Sequence, residues 1–303
     1  MKLEVTIVMN KKIPKTLIIN ASSSFVAYHV IKAFIISQNQ SELICALKSK
    51  KNEYTERNKE RVDRLKFEEE KIKVSYDVKH HDIDWYNKVI NESKYNPTVW
   101  FHDSWTKNYN QENFDIENAI KYNTKNLNEI YKIIKKNNGS AIYSSSYFQY
   151  LEYSSELNHT GYSLAKKITF DIHQYYAKKN DVELKEFIIY NPIGPYEPKK
   201  IVDMYLNAKI NKLDFKLNNV NAKSRFEYVQ DCAERFLNII YCNDNDINNA
   251  MPKEIKVMDL LENISDSLKN QNNKKILMNE SKENLNMYDN EYKKWLKINY
   301  KLE

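Results

Sequence analysis

The chain alternates between short apolar runs and longer stretches that carry apolar residues at helical spacing. The short runs are rich in Val, Ile and Leu, which is typical of parallel strands buried on both faces. The predicted strands are residues 16–19, 42–47, 73–76, 97–101, 141–144 and 186–190. The predicted helices are residues 25–36, 82–91, 116–136 and one that opens near Gly161, while 50–71 is a charged helix or loop. This alternation predicts an α/β fold with a doubly wound parallel sheet.

The regular alternation stops after residue 190. The helical patterns beyond it are residues 198–211, 230–241 and 256–269. We therefore predict a sheet domain over 1–192 and a smaller mixed lobe over 193–303, which could interleave with the sheet domain. The lobe would close over the carboxyl edge of the sheet, where ligands of such folds bind. Residues 1–14 are an extra N-terminal segment with a predicted strand at 3–9.

Composition and charge narrow the possible functions. The 303 residues are 42% hydrophobic and 13% aromatic, which indicates a folded protein with a large core. The net charge of +6 is spread along the chain, so it permits anionic small molecules but does not indicate nucleic acid. No run reaches the ~20 apolar residues that span a bilayer, and the charged start does not resemble a secretory signal. We expect a cytoplasmic protein in which Cys45, Cys232 and Cys242 are reduced thiols.

The candidate chemistry is concentrated where a serine cluster follows the strand at 141–144. Tyr162 and Lys166 stand four residues apart on the next predicted helix, on one face and one turn apart. A free phenol titrates near pH ~10, and an ammonium about 6 Å away at a dielectric of about 20 stabilises its anion by roughly 3 kcal/mol. Tyr162 could then exchange a hydroxyl proton near neutral pH while a serine binds the same oxygen. Chance is the alternative, because the chain has 23 Tyr and 47 Lys plus Arg.

A second candidate site is the turn of small residues that follows the first predicted strand. Strand, tight turn and helix form the first half of a nucleotide-binding βαβ unit, in which the helix N-terminus near Phe25 faces a pyrophosphate. Ala21, Ser24 and Ala27 stand where such turns carry glycine, in a chain with three glycines in total. A left-handed Ala21 would cost about 1–2 kcal/mol, and the Ser24 side chain would crowd the phosphate. A purely structural turn is therefore the alternative.

Two further positions suggest ligands. Lys48 follows the second predicted strand, where a basic residue suits the 2′-phosphate of NADP, and an ordinary solvated lysine is the alternative. His80 and His81 raise the question of a metal. Adjacent side chains point apart on a helix or a strand, so we predict no metal site there.

Taken together, these residues resemble the extended short-chain dehydrogenase/reductase family, also called the NAD-dependent epimerase/dehydratase family. Blocks in that family's order are the strand–turn–helix at 17–36, the Asp77 block, SSS at 144–146 with Tyr150, YSLAK at 162–166 and NPIGP at 191–195. The segment SRFEYVQD at 224–231 resembles a further block of the family. The resemblance covers nearly the whole chain and implies a Rossmann-like sheet that binds NADP or NAD. It also implies a homodimer that pairs helices 116–136 and 162–179 of two subunits.

The resemblance implies a catalytic set. Tyr162 would be the general acid/base, and Lys166 would lower its pKa and bind the nicotinamide ribose. Ser146, third in the serine cluster, would bind the substrate hydroxyl or carbonyl. Ser146 is followed by Tyr147 and Phe148 rather than by the Asp-Glu pair of the family's 4,6-dehydratases, which argues against elimination.

The resemblance also implies binding residues. The cofactor contacts would be Ala21, Ser24, Phe25, Lys48, Asp77, Tyr162 and Lys166. Asp77 matches a residue near the adenine, although it could only cap its strand. Asn191 and Arg225 match positions that contact a substrate diphosphate, and Asn191 could also be a simple turn residue. Arg225 suits phosphate because a guanidinium is a fixed-charge fork.

The implied function is hydride and proton exchange on a nucleotide-linked sugar, either 4-epimerisation or reduction of a keto sugar. The altered glycine turn keeps another interpretation open, which is a non-catalytic binding, scaffold or redox-sensing protein with the same fold.

Overall fold

The computed structural model describes residues 15–37, 41–65, 72–104, 113–150, 160–217, 219, 221–241, 251–269 and 285–300. The predicted strand at 3–9 and Cys242 lie outside these residues. Within the described ranges, no helix has both the length and the apolar character that a membrane crossing needs.

Parallel strands form the main sheet. They are β1 (Thr16–Ile19), β2 (Glu42–Ala46), β3 (Lys73–Ser75), β4 (Pro97–Phe101), β5 (Ser140–Ser146) and β6 (Glu183–Ile189). Their order, β3-β2-β1-β4-β5-β6, confirms the predicted doubly wound sheet. Ile19 pairs with Cys45 on one side and with Trp100 on the other. The winding reverses between β1 and β4, which is where ligands bind at the carboxyl edge of such sheets.

Helices cover both faces of this sheet. They are α1 (Phe25–Ser37), α2 (Glu56–Leu65), α3 (Ile83–Asn91), α4 (Ile116–Asn123), α5 (Leu127–Lys136), α6 (Gly161–Lys179), α7 (Ile201–Ile210), α8 (Val229–Tyr241), α9 (Val257–Lys269) and α10 (Leu285–Tyr300). One face packs α1 and α8 around Trp100 and Phe187. The other face packs α3, α5 and α6 around Phe101 and Tyr131. The sheet is therefore buried on both sides, which explains its apolar strand runs.

The predicted helix over 116–136 is two helices, because the chain changes direction after α4. Thr124 ends α4, and its hydroxyl donates to the C=O of Ile120 at 2.8 Å. Asn126 then adopts the left-handed conformation, with φ 59°, before α5 begins. Asparagine tolerates this conformation better than most residues do. The charged stretch at 50–71 is helical over Glu56–Leu65.

A smaller sheet begins the C-terminal part of the chain. It contains β7 (Asn191–Ile193), β8 (Lys223–Tyr228) and β9 (Glu254–Lys256), in that order. Helices α7, α9 and α10 pack around it through Tyr205, Leu260 and Tyr292. Helix α8 instead returns to the main sheet, where Phe236 packs on Trp100 with 4.1 Å between ring centroids. The chain thus passes from the lobe to the main sheet and back, and the boundary after residue 192 stays a prediction.

Candidate active site

Helix α6 starts in close contact with α4. Its N-cap is Thr160, whose side chain accepts a hydrogen bond from the N–H of Ser163 at 3.3 Å. Gly161 makes the close packing possible, because a Cβ there would lie 2.9 Å from Cγ1 of Ile116. The cap and the glycine together fix where the first turn of α6 lies, and that turn carries Tyr162.

Tyr162 and Lys166 lie one turn apart on α6. Tyr162 is half-buried, and its ring meets the ring of Phe114 edge-on with 5.9 Å between centroids. Lys166 is buried, and its Nζ donates to the C=O of Ser144 at 2.5 Å. The same Nζ lies 4.4 Å from the ring centroid of Tyr143. Strand β5 therefore holds the ammonium at the carboxyl edge of the sheet.

The environment of Lys166 weakens its charge at neutral pH. Burial lowers the pKa of Lys166 to about 7, although the charges of Glu186 and Asp103 oppose this shift. The ammonium is therefore fully present only below about pH 6. Its electrostatic effect on a Tyr162 phenolate must then fall as the pH rises through 7.

Ser146 ends β5, opposite Ile189 of β6. Its Oγ accepts from the N–H of Phe148 at 3.4 Å, and its own N–H donates to Oε1 of Gln149 at 3.4 Å. A short 3-10 helix over Tyr147–Tyr150 makes this turn. Neither bond uses the hydroxyl hydrogen of Ser146, so within the described ranges that hydrogen has no acceptor and could be donated to a ligand oxygen.

The predicted substrate residues Asn191 and Arg225 are neighbours. Asn191 Nδ2 donates to Ser224 Oγ at 2.7 Å, to the Tyr147 hydroxyl at 3.2 Å and to the C=O of Arg225 at 3.3 Å. The hydroxyls of Tyr147 and Ser224 are themselves hydrogen-bonded. Arg225 Nη1 donates to the C=O of Pro252 at 2.7 Å. Tyr147 thus links this polar cluster to the end of β5.

The turn between β1 and α1 is formed without glycine. All residues of this turn are described, and none of them has a positive φ. The expectation that Ala21 is strained in a left-handed conformation is therefore wrong. Ser24 caps α1, because its Oγ accepts from the N–H of Ala27 at 3.0 Å. The N–H groups of Phe25 and Val26 have no acceptor among the described residues. Two donors at the N-terminus of α1 therefore remain open.

His102 joins this turn to the serine strand and was not predicted from the sequence. It follows β4, and its Nε2 lies 2.7 Å from Ser24 Oγ while its Nδ1 lies 2.8 Å from Ser144 Oγ. Burial, helped by the charge of Lys166, lowers the pKa of His102 to about 3. The imidazole is therefore neutral at physiological pH. The position of His102 directly after a strand that borders β1 is the signal that could have found it.

A neutral imidazole has one N–H to share between the two serine hydroxyls. Ser144 Oγ already accepts from Trp100 Nε1 at 2.8 Å. We assign its own hydrogen to His102 Nδ1, so that His102 Nε2–H donates to Ser24 Oγ. Within the network of Trp100, Ser144, His102 and Ser24, every donor then has an acceptor except the hydroxyl of Ser24. No described residue accepts the hydrogen of that hydroxyl, so it could be donated to a ligand.

Lys48 lies at the end of β2 and turns toward α4. Its Nζ donates to the Tyr122 hydroxyl at 2.6 Å and lies 3.7 Å from Asp103 Oδ2. His80 Nδ1 donates to the same carboxylate at 2.6 Å. The His80 ring stacks between His81 and Tyr122, with centroid distances of 3.8 and 3.9 Å. The expectation that the adjacent histidines point apart is wrong, because they lie outside helix and strand and His81 has a φ of 48°.

Asp77 lies after β3 on the same edge of the sheet. It is exposed, has a φ of 57°, and its N–H donates to the C=O of Ser49 at 3.3 Å. Asp77 thus ties the ends of β2 and β3 together and leaves its carboxylate at the surface. Among the described residues, no group of three His, Cys, Asp or Glu side chains is arranged to bind a metal.

The order of these sites along the chain matches one family. The model of the NAD dependent epimerase/dehydratase family covers residues 23–250, which is most of the chain. The chain belongs to this family. The resemblance found in the sequence is thereby confirmed. No curated protein sequence matches the chain.

Solved structures show where the fold of this epimerase/dehydratase family member recurs. UDP-glucuronic acid 4-epimerase from Bacillus cereus, in complex with UDP-glucuronic acid and NAD, aligns with a TM-score of 0.71 at 11% identity, covering 94% of this chain and 100% of its own. UDP-N-acetylglucosamine 4-epimerase from Methanobrevibacter ruminantium M1, in complex with UDP-N-acetylmuramic acid, aligns with a TM-score of 0.69 at 14% identity, covering 94% of this chain and 99% of its own. UDP-glucose 4-epimerase from Thermotoga maritima, with UDP-glucose, aligns with a TM-score of 0.67 at 13% identity, covering 94% of this chain and 99% of its own. The chain shares their fold.

The turn of this family member fits a dinucleotide in an altered form. The open N–H groups of Phe25 and Val26 suit a pyrophosphate at a helix N-terminus. Ser24 takes one further donor, the N–H of Ala27, for its own cap. The Ser24 oxygen accepts its second hydrogen bond from His102 Nε2–H, so the Ser24 hydroxyl can itself donate to a phosphate oxygen. The Ser24 side chain is thus held in the turn by Ala27 and His102, and its predicted place at the phosphate stays a prediction.

Proposed function

We propose that the chain is an NAD- or NADP-dependent enzyme that epimerises, or reduces as its keto form, a sugar linked to a nucleotide. One observation carries the proposal: Lys166 is fixed on Ser144 one helical turn from Tyr162, and His102 links Ser144 to Ser24 at the N-terminus of α1. Family membership supports the reaction class. The solved structures of like fold include complexes with NAD and with UDP-sugars, which supports the ligand classes.

In the proposed reaction Tyr162 takes the proton of a sugar hydroxyl as the attached carbon is oxidised. A nicotinamide cofactor held by Lys166 and the N-terminus of α1 would supply the hydride chemistry at that carbon, as acceptor from a hydroxyl-bearing carbon or as donor to a keto carbon. The Lys166 ammonium stabilises the Tyr162 phenolate by roughly 3 kcal/mol at about 6 Å and a dielectric of about 20. The Ser146 hydroxyl donates to the same sugar oxygen and holds it near the phenol. In epimerisation Tyr162 would return the proton to the sugar oxygen as the same carbon regains a hydride on its opposite face, and in reduction Tyr162 would supply the proton of the new hydroxyl.

The lobe would bind the nucleotide end of the substrate. Asn191 and Arg225 already share a hydrogen-bonded cluster with Ser224. Among the described residues, the Arg225 guanidinium uses Nη1 to donate to the C=O of Pro252, and the rest of the fork suits a diphosphate. We assign these two residues to the substrate diphosphate.

The choice between NAD and NADP depends on Lys48. A 2′-phosphate would have to compete with Asp103 for the ammonium, because these two groups lie 3.7 Å apart. Asp77 remains the candidate for the adenine end, since its carboxylate is exposed at the same edge.

The proposal includes a homodimer formed through α4 and α6. On the outer face of α6, Ile168, Ile172 and Tyr175 line a groove together with Thr124 of α4. The Tyr175 side chain is 61% exposed, which leaves a large aromatic surface on α6 open to a second subunit. Sedimentation of the purified chain should give twice the mass of one chain, and Tyr175→Asp should shift it toward the monomer.

The Tyr162→Phe variant tests the reaction. We expect it to bind NAD(H) or NADP(H) like the wild type, measured by nicotinamide fluorescence, and to lose turnover of UDP-linked sugars by about 10²–10⁴-fold. Tyr95→Phe is the matched control, because Tyr95 stands before β4 at the opposite edge of the sheet. Unchanged turnover in Tyr162→Phe would refute the assignment. A wild type that binds neither cofactor would favour a non-catalytic binding or scaffold protein.

A further inference from the structure

Arg61 of α2 is a buried cation beside the turn that precedes α1. The residue is 3% exposed. Its Nε donates to the C=O of Ser23 at 2.8 Å, and its Nη1 donates to the C=O of Tyr196 at 2.6 Å. Its Nη2 donates to Oδ1 of Asn58. All three partners are uncharged, so the guanidinium is solvated by dipoles rather than by a carboxylate.

The charge of Arg61 has no dedicated acidic partner among the described residues. Glu60 is the carboxylate that acts on it, but Glu60 lies 3.3 Å from Nη1 of Arg57 and is bound there. Burial lowers the pKa of Arg61 to about 10, so the side chain is still charged at neutral pH. Buried charges are normally paired, because desolvation otherwise costs several kcal/mol. An anionic ligand next to Arg61 would supply the missing partner.

The contacts of Arg61 point to which anion this is. Ser23 belongs to the turn that ends at Ser24, directly before the open N–H groups at the start of α1. Tyr196 belongs to the turn after β7, where the lobe begins, and has a φ of 68°. One guanidinium therefore connects the proposed pyrophosphate site with the first turn of the lobe. A second contact, between His29 Nε2 and the C=O of Pro195 at 2.9 Å, holds helix α1 itself against the turn that contains Tyr196.

We propose that Arg61 is a positioning residue for the dinucleotide: it braces the glycine-free turn through Ser23 and offsets the charge of the pyrophosphate bound there. The inference rests on the proposed function and deepens it. In a turn with glycines, more backbone donors face the ligand, whereas here Ser24 uses the N–H of Ala27 for its own cap. The positive charge of Arg61 behind the turn compensates for the N–H of Ala27, which is no longer available to the ligand. Because Arg61 also binds Tyr196, the pyrophosphate site and the lobe are held in one arrangement.

Arg61→Gln tests the inference, with Arg64→Gln as the matched control. Arg64 lies one turn further along α2, is exposed, and stacks its guanidinium 4.3 Å from the Tyr196 ring centroid. Both variants remove one positive charge from the same helix. A charge about 8 Å from an anion at a dielectric of about 20 is worth a factor of roughly 10 to 50 in affinity. We expect Arg61→Gln to weaken binding by that factor and Arg64→Gln by less than about twofold.

The readout is the dissociation constant from calorimetry for NADH, NADPH and ADP-ribose. In Arg61→Gln the dissociation constant should rise by the same factor for ADP-ribose and for whichever reduced cofactor binds better. The two ligands share the pyrophosphate, and ADP-ribose lacks nicotinamide, so an equal loss points to the pyrophosphate. Circular dichroism and the melting temperature show whether each variant is folded. A purely structural role would lower the melting temperature without this equal loss. If Arg61→Gln does not fold, Arg61→Met replaces it, since an apolar side chain of similar length often tolerates a buried site.

Several results would overturn the inference. If the wild type binds ADP-ribose and a folded Arg61 variant binds it equally well, Arg61 does not position the dinucleotide, while the proposed function stands. If the wild type binds none of the three ligands, both proposals fail. If neither Arg61 variant folds, the residue belongs to the fold alone and the inference is withdrawn.

Discussion

Replacing Lys166 by methionine should make the chain more stable at neutral pH while it removes the proposed activity. Burial lowers the pKa of Lys166 from 10.5 to about 7. Between these values the unfolded chain binds more protons than the folded chain, so the free energy of unfolding rises as the pH rises from 7 to 10.5. At about 1.4 kcal/mol per pKa unit, burying Lys166 costs the wild type about 4 kcal/mol at pH 7.

Methionine removes this cost but also removes contacts. The C=O of Ser144 loses the hydrogen bond from Nζ at 2.5 Å, and an unpaired buried carbonyl costs about 1–3 kcal/mol at any pH. The variant should therefore be about 1–3 kcal/mol more stable than the wild type at pH 7. It should be less stable at pH 10.5, where the wild-type lysine is no longer penalised. The difference should fall by about 1.4 kcal/mol per pH unit between these limits.

Urea unfolding, followed by circular dichroism from pH 7 to about pH 10, measures this difference directly. Other titrating groups cancel, because they are the same in both chains. Lys167→Met is the control, since Lys167 is the exposed neighbour on α6 and its replacement should give a curve parallel to the wild type. Parallel curves for the wild type and Lys166→Met would show that the folded chain does not depress the pKa of this lysine, and the reasoning would be refuted.

Other predictions follow from single hydrogen bonds and buried groups. Ser24→Ala should lower the free energy of unfolding by about 1–2 kcal/mol, measured in urea, because the N–H of Ala27 loses its cap. NMR of the imidazole should find His102 neutral down to about pH 4, because its pKa is lowered to about 3. Glu197 is buried against the Tyr292 hydroxyl at 2.7 Å, and its pKa is raised from 4.5 to about 8, so its folded form binds the extra proton. Glu197 on its own should thus lower the free energy of unfolding as the pH rises from 4.5 to 8, so the stability of Glu197→Gln relative to the wild type should rise over this range in thermal unfolding; a difference that does not change with pH would contradict it.

The sheet could be predicted because its strands are buried on both faces. Thr16–Ile19 and Pro97–Phe101 are apolar runs that match the observed strands at both ends. Burial of both faces by α1, α8, α3 and α5 leaves few polar positions in such strands, so the pattern survives in the sequence. The placement of Tyr162 one turn from Lys166 follows from helical geometry alone and was equally accessible.

The partners of polar side chains could not be predicted, because they depend on neighbours distant in sequence. Ser24 was considered only for its effect on a phosphate, and its contacts with the N–H of Ala27 and with His102, which is 78 residues away, were not predicted. Lys48 was predicted either to bind a phosphate or to be an ordinary solvated lysine, and its contacts with Tyr122 and Asp103 were not foreseen. The break at Asn126 was missed because a left-handed residue between two helical patterns leaves the apolar spacing nearly unchanged.

The close approach of α6 to α4 at Gly161 has a meaning for the whole chain, which keeps three glycines. At Gly139, Gly161 and Gly194 a methyl group would come within 2.7, 2.9 and 2.7 Å of a neighbouring atom. The turn between β1 and α1 holds alanine and serine instead, and there the Ser24 side chain caps the helix. The three glycines therefore stand where two segments of the fold pack so closely that a side chain would require the neighbouring atoms to shift.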